Sequence, residues 1–223
     1  MGGRALRVWA SLGGVLFVVL AVIGSIFLFD GPSDSSPLKM AAYYGKSSHR
    51  NETHLGWVLT GLGLFCLVWF VAAVRERVVA SERASAGGTL LSTVVLVGGT
   101  VYIALAMATV AISDGIKTMS DDTYHHQVYS GIIHAASDAG YLLVVTGAVG
   151  MAALIFAVSA AILGLGILPR WMGWFGIVAG IAAIFSLFFF TMLLWLLWVA
   201  VVSVALFLRS RAEVATPAPA LAS

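Results

Sequence analysis

Asp122, His126, Ser130, His134 and Asp138 recur at every fourth position. On a helix, neighbours in such a series lie one turn apart and can touch, so each His and its carboxylate neighbour can share a proton or offer paired donors to a ligand. The series is not one site, because each four-residue step rotates by about 40°, and His126 and His134 stand about 12 Å apart along the axis. They cannot hold a single metal. His134 with Asp138 supplies two ligands, and Asp121 or Asp122 with His125 or His126 supplies two elsewhere. Zinc needs three or four protein ligands, so a metal centre on His134 and Asp138 calls for His54, or else His49 or Asp114, from another segment. The candidate ligand-binding set is therefore His126, Ser130, His134, Asp138, Asp114 and His54, with His134, Asp138 and His54 as the candidate metal set. Plainer readings of the same residues are a polar seam between a span and its outer loops, or a pH-sensitive contact. No HExxH or GxSxG pattern is present, so no catalytic residue is assigned and the cofactor stays unknown.

All five histidines lie in two polar segments, 30–54 and 113–140. In the first, Ser36-Pro37 suits a helix cap and first turn, and the spacing predicts a short interfacial helix over 38–44. Lys39, Lys46, His49 and Arg50 suit headgroup or solvent contacts, and Asn51-Glu52-Thr53 matches the N-glycosylation pattern. In the second, Asp121 or Asp122 can cap a helix that starts at Thr123 and runs on into a span.

The elements carrying these segments follow from composition. Of 223 residues, 61% are apolar and 10% charged, against about 45–50% and about 25% in soluble domains. That disfavours a water-soluble enzyme, a nucleic-acid reader and a disordered regulator, and identifies a polytopic membrane protein. The net charge of +2 implies no nucleic-acid partner. Cys66, the single cysteine, gives neither a disulfide framework nor a Cys-based metal site. The apolar stretch 8–29 is longer than a signal-peptide core and reads as a retained first span.

A bilayer core of about 30 Å needs about 20 apolar helical residues. Stretches 8–29, 55–74, 89–112 and 140–163 meet this, and the uncharged run 171–208 would measure about 57 Å as one straight helix, so it divides more economically into 171–188 and 191–208. The expected fold is all-α: a bundle of six transmembrane helices forming one domain over 1–211, with a short extracytoplasmic helical cap and a mobile tail over 212–223. Alternating the spans places Arg4, Arg7, Arg75, Arg77, Arg83, Arg170, Arg209 and Arg211 on one side, against Lys39, Lys46, Arg50 and Lys117 on the other. The first group belongs in the cytoplasm, with both termini. Asp30, Asp34, Glu52, Asp114, Asp121, Asp122 and Asp138 then fall outside.

No ionisable residue lies near the middle of any span, although charge-coupled carriers usually place one there. The small-residue stripe Gly176-x-x-x-Gly180 suits close helix packing, within the chain or in a homo-oligomer or partner contact. Gly61/Gly63, Gly98/Gly99 and Gly147/Gly150 suit packing likewise, while Trp57, Trp171 and Trp174 fit the interfaces and Trp195 and Trp198 fit the core.

Ala-Ala-Tyr-Tyr at 41–44, Leu-Pro-Arg-Trp-Met-Gly-Trp at 168–174 and Trp-Val-Ala-Val-Val-Ser at 198–203 resemble stretches of a family of small six-span bacterial membrane proteins whose domain has no known function. The resemblance covers most of the chain and implies a bacterial inner-membrane location, but no activity; the Asp-Asp-Thr-Tyr-His-His run at 121–126 is not part of it. The expected function is non-catalytic: an accessory or receptor-like membrane protein binding a lipid, a small apolar ligand or a partner protein through its outer half. A metal-dependent enzyme with an extracytoplasmic His/Asp site and a small uncharged-solute channel or carrier are the alternatives.

Overall fold

A computed structural model describes residues 3–29, 37–85, 88–118 and 130–215. Its helices are α1 (Gly3–Phe29), α2 (Pro37–Tyr44), α3 (Ser47–Ala84), α4 (Leu90–Thr118), α5 (Ser130–Leu165), α6 (Arg170–Ile184) and α7 (Phe189–Ala215). No strand occurs among the described residues. Five helices, α1, α3, α4, α5 and α7, are long and apolar enough to cross a membrane, whereas α6 has 15 residues and is shorter than a full span.

Helix ends and apolar ends do not coincide. α3 continues through the charged stretch 75–84, and α4 extends to Thr118, both of which read from hydropathy as loop. In α3 the reason is that Arg, Glu and Ala favour helix whatever surrounds them; residues 113–118 of α4 have no such propensity, and there Asp114 meets His54 and Ile112 packs on Tyr44. α7 likewise runs past Arg211 to Ala215, so the expected tail is helical at its start, and 216–223 lie outside the described residues. The helix expected to start at Thr123 also begins outside them; α5 is described from Ser130.

Local chemistry sets the turns. Gly166, at φ 67°, ends α5 in the left-handed conformation that a side chain disfavours, and its N–H donates to Ile162 O at 3.2 Å. Pro169 then precedes α6. Between α3 and α4 the buried Glu82 carboxylate accepts the N–H groups of Leu91 at 2.8 Å and Ser92 at 3.3 Å. Those amides belong to the first turn of α4 and have no helical partner of their own.

The long helices and α6 form a closed ring in the order α1, α3, α4, α5, α6, α7, and α7 returns to α1. Side-chain pairings make each neighbour antiparallel. Arg7 meets Glu76 while Leu28 meets Gly56; Glu82 meets Leu91 while His54 meets Asp114; Met172 meets Trp198 while Ser186 meets Trp195. The start of α1 and the end of α7 therefore lie at one end of the bundle. Arg7, Arg75, Arg77, Arg83, Arg170, Arg209 and Arg211 gather there, with Lys39, Lys46 and Arg50 opposite.

Glycines set the close approaches. A Cβ on Gly98 would come 2.5 Å from Gly150 O, and one on Gly150 would come 2.8 Å from Gly98 O, so α4 and α5 touch backbone to backbone. Gly176 and Gly180 are buried against the chain's own Ser159, Trp198 and Phe156. The stripe packs α6 into the ring, which leaves those two glycines no surface for a second copy.

Inside the ring, Phe17 of α1, Tyr102 of α4 and Trp195 of α7 meet. Their ring centroids are 6.2 Å apart for Phe17 and Tyr102, 6.4 Å for Phe17 and Trp195, and 5.4 Å for Tyr102 and Trp195. All three are buried, and α4 is not a ring neighbour of α1 or α7, so the trio lies across the bundle axis. Trp198, Phe70, Leu67, Met151 and Leu154 are buried in the same core cluster.

Candidate functional site

The end opposite the arginines is built by short-range chemistry on α2 and the start of α3. Arg50 donates to Tyr44 O and Gly45 O, both at 2.9 Å, which neutralises the carbonyl end of α2 and fixes its angle to α3. Tyr43 stacks on the His49 imidazole with centroids 3.8 Å apart and meets Tyr44 edge-on at 5.1 Å. Tyr44 is buried and packs with Tyr43, Ile112 and Ala136. Through it, α2 joins α3 to the ends of α4 and α5. His49 Nδ1 lies 3.5 Å from Glu52 Oε2, and Thr53 Oγ1 donates to His49 O at 3.0 Å.

One turn further along α3, His54 Nδ1 stands 2.8 Å from Asp114 Oδ1 of α4. The antiparallel register makes this meeting possible, since α3 begins where α4 ends. The side chains differ in exposure, 45% for His54 and 17% for Asp114. The carboxylate is thus mostly enclosed while the imidazole faces outward. Such a contact orients the ring and leaves its other nitrogen open to a ligand.

Of the residues singled out by spacing, the structure brings His54 and Asp114 together. His134, partly exposed, and Asp138, exposed, lie on the first turns of α5. His126 and the side chain of Ser130 fall outside the described residues. Among the described residues no three His, Cys, Asp or Glu side chains converge to hold a metal ion, so His134, Asp138 and His54 do not form a ligand set there. The four-residue spacing finds neighbours on one helix; the observed pair joins two.

The other contacts near this end tie helices together. Thr109 Oγ1 donates to Gly140 O at 2.8 Å, joining α4 to α5, and Tyr141 Oη donates to Leu187 O at 2.6 Å, joining α5 to the α6–α7 turn.

Sequence reasoning missed a second polar cluster, at the arginine end. Arg77 of α3 grips Glu213 of α7 with both nitrogens, at 2.6 and 2.8 Å, and reaches Ser210 Oγ at 3.0 Å. Arg7 pairs with Glu76 at 2.7 Å, and these residues line a cavity of about 120 Å³ with Ser11, Ala73 and Ala80. Arg209 donates to Ile167 O, closing the α5–α6 turn against α7. No local pattern could reveal pairs so distant in sequence; the one available signal was that both partners fall at helix ends on the same side.

The architecture defines an all-helical bundle with five membrane-length apolar helices. No protein-family model, curated protein or solved structure matches the chain.

Proposed function

We propose that this is an integral membrane protein of accessory or receptor-like type, without catalytic or transport activity of its own, which recognises a lipid, a small apolar ligand or a partner protein through its outer end. On this reading the arginine end is cytoplasmic, the chain enters and leaves from that side, α2 with the start of α3 forms the extracytoplasmic cap, and the location is a bacterial inner membrane. The concentration of arginines at one end supports the orientation.

The observation that carries the proposal is the contrast between the axis and the outer end. The axis is filled by Phe17, Tyr102 and Trp195, three buried rings in contact, where a solute path would need space or polar lining. The outer end instead carries an imidazole held by an enclosed carboxylate and directed outward.

Site-specific photocrosslinking in native membranes tests this. A crosslinking amino acid at Leu55, exposed beside His54, is expected to give a discrete adduct that Asp114→Asn abolishes, while the adduct pattern from Leu90, exposed at the arginine end, does not change. An adduct at 55 that is indifferent to Asp114→Asn, or identical to the pattern from 90, overturns the proposal.

A further inference from the structure

The α6–α7 turn differs from the other two helix–helix turns in the ring. The α3–α4 turn is bordered by Glu82, Arg83 and Ser85, and the α5–α6 turn by Arg170 with Arg209 against Ile167 O. Residues 185–190, Phe-Ser-Leu-Phe-Phe-Phe, contain no charge, and Phe185, Leu187, Phe188 and Phe190 are 55%, 54%, 62% and 83% exposed. In water, a turn of this composition would present a large apolar surface to solvent.

Many of its polar groups are met from within. Phe185 N–H donates to Ile181 O at 3.3 Å, Ser186 N–H to Ala183 O at 3.2 Å, Phe188 N–H to Phe185 O at 3.0 Å and Thr191 N–H to Phe188 O at 2.9 Å. The Thr191 hydroxyl lies 2.7 Å from Phe185 O and 2.6 Å from Phe188 O, Tyr141 donates to Leu187 O, and Trp195 Nε1 donates to Ser186 Oγ at 3.2 Å. Aqueous turns leave such carbonyls to water; irregular backbone inside hydrocarbon must satisfy them within the protein.

The position of the turn agrees on two counts. α6 has 15 residues and rises about 22 Å from the arginine end, short of a hydrocarbon core of about 30 Å. Independently, Ser186 shares a small cavity with Tyr141, Val144, Val145 and Ala148 of α5, and Asp138 precedes those residues by about 4–15 Å of helix on the outer side. The turn therefore stops below the polar rim.

We infer that the α6–α7 hairpin turns round inside the outer-leaflet hydrocarbon, leaving a recess above it, and that the acyl chains of an outer-leaflet phospholipid occupy this recess and lie against Phe185, Leu187, Phe188 and Phe190. The inference rests on the membrane-spanning reading of the bundle. It gives lipids a defined contact on this protein, and makes α6–α7 a hairpin inserted from the cytoplasmic side whose apex never meets water.

Nitroxide spin labels in phosphatidylcholine/phosphatidylglycerol nanodiscs test it. In a Cys66→Ser background, labels are placed at Leu187→Cys and Phe188→Cys, both exposed, with Glu52→Cys as the outer control and Ala84→Cys as the inner one. Labels at 187 and 188 are expected to collide with oxygen at least several-fold more often, relative to a water-soluble nickel chelate, than those at 52 and 84. Nickel accessibility at 187 and 188 equal to that at 52 overturns the inference while leaving the membrane reading intact. Dipolar broadening between labels at 187 on two copies also overturns it, because a second copy then fills the recess. Chain recovered in the soluble fraction, with no label protected, overturns both.

Discussion

Tyr141 illustrates how a single hydroxyl matters at this depth. Its Oη donates to Leu187 O, and the turn offers that carbonyl no helical partner. Tyr141→Phe keeps the ring and removes the donor, leaving a carbonyl without water or protein to bond. Thermal unfolding in bicelles is expected to register a loss of about 1–3 kcal/mol; stability equal to the parent would mean that water reaches the turn. His54 and Asp114 show the complementary lesson about what sequence conveys. Both were legible as candidate residues from type and location, but their partnership was not, because it depends on the start of α3 lying against the end of α4 rather than on spacing within either helix. The same holds for Arg77 and Glu213, which sit on different helices and have no shared motif.

Helices were more legible than residues, and the reasons are physical. Long apolar runs mark α1, α3, α4, α5 and α7, since a bilayer demands length as well as apolarity. Pro37 at the start of α2 falls where capping chemistry pointed, whereas the turn between α6 and α7, at 185–188, comes earlier than the break after 188 expected from length. Helix extents were not legible, because α3 and α4 both continue past their apolar stretches, α3 through good helix formers and α4 through residues that contact α2 and α3. The role of Glu82 was also hidden: in sequence it is one charge in a loop-like stretch, and in the fold it is a buried cap on the next helix. Removing it orphans the N–H groups of Leu91 and Ser92. Glu82→Ala is expected to destabilise by about 1–3 kcal/mol, while Glu76→Gln, which breaks a half-exposed pair with Arg7, is expected to lose no more than about 1 kcal/mol. Thermal unfolding of the two variants side by side checks the order; equal losses would deny Glu82 its capping role.

Among the described residues, ion pairs lie at the two ends and the space between is packed. Closure of the ring by α7 against α1 brings Ser203 Oγ to Ser11 O and Val15 N, so even that seam is pinned in the bundle's own interior. Glycines let α4 approach α5, and α6 approach α5 and α7, closely. A closed ring with buried rings across its axis is suited to holding an outer surface in a fixed shape, as the proposed recognition by the His54–Asp114 end would require. Stopped-flow light scattering on proteoliposomes, with water and glycerol as the permeants, addresses this most directly. Shrinkage and re-swelling rates are expected to match those of protein-free vesicles of the same lipid. Faster rates, rising in proportion to protein content and altered by substitutions at Phe17, Tyr102 or Trp195, would contradict the filled axis and make the protein a conduit.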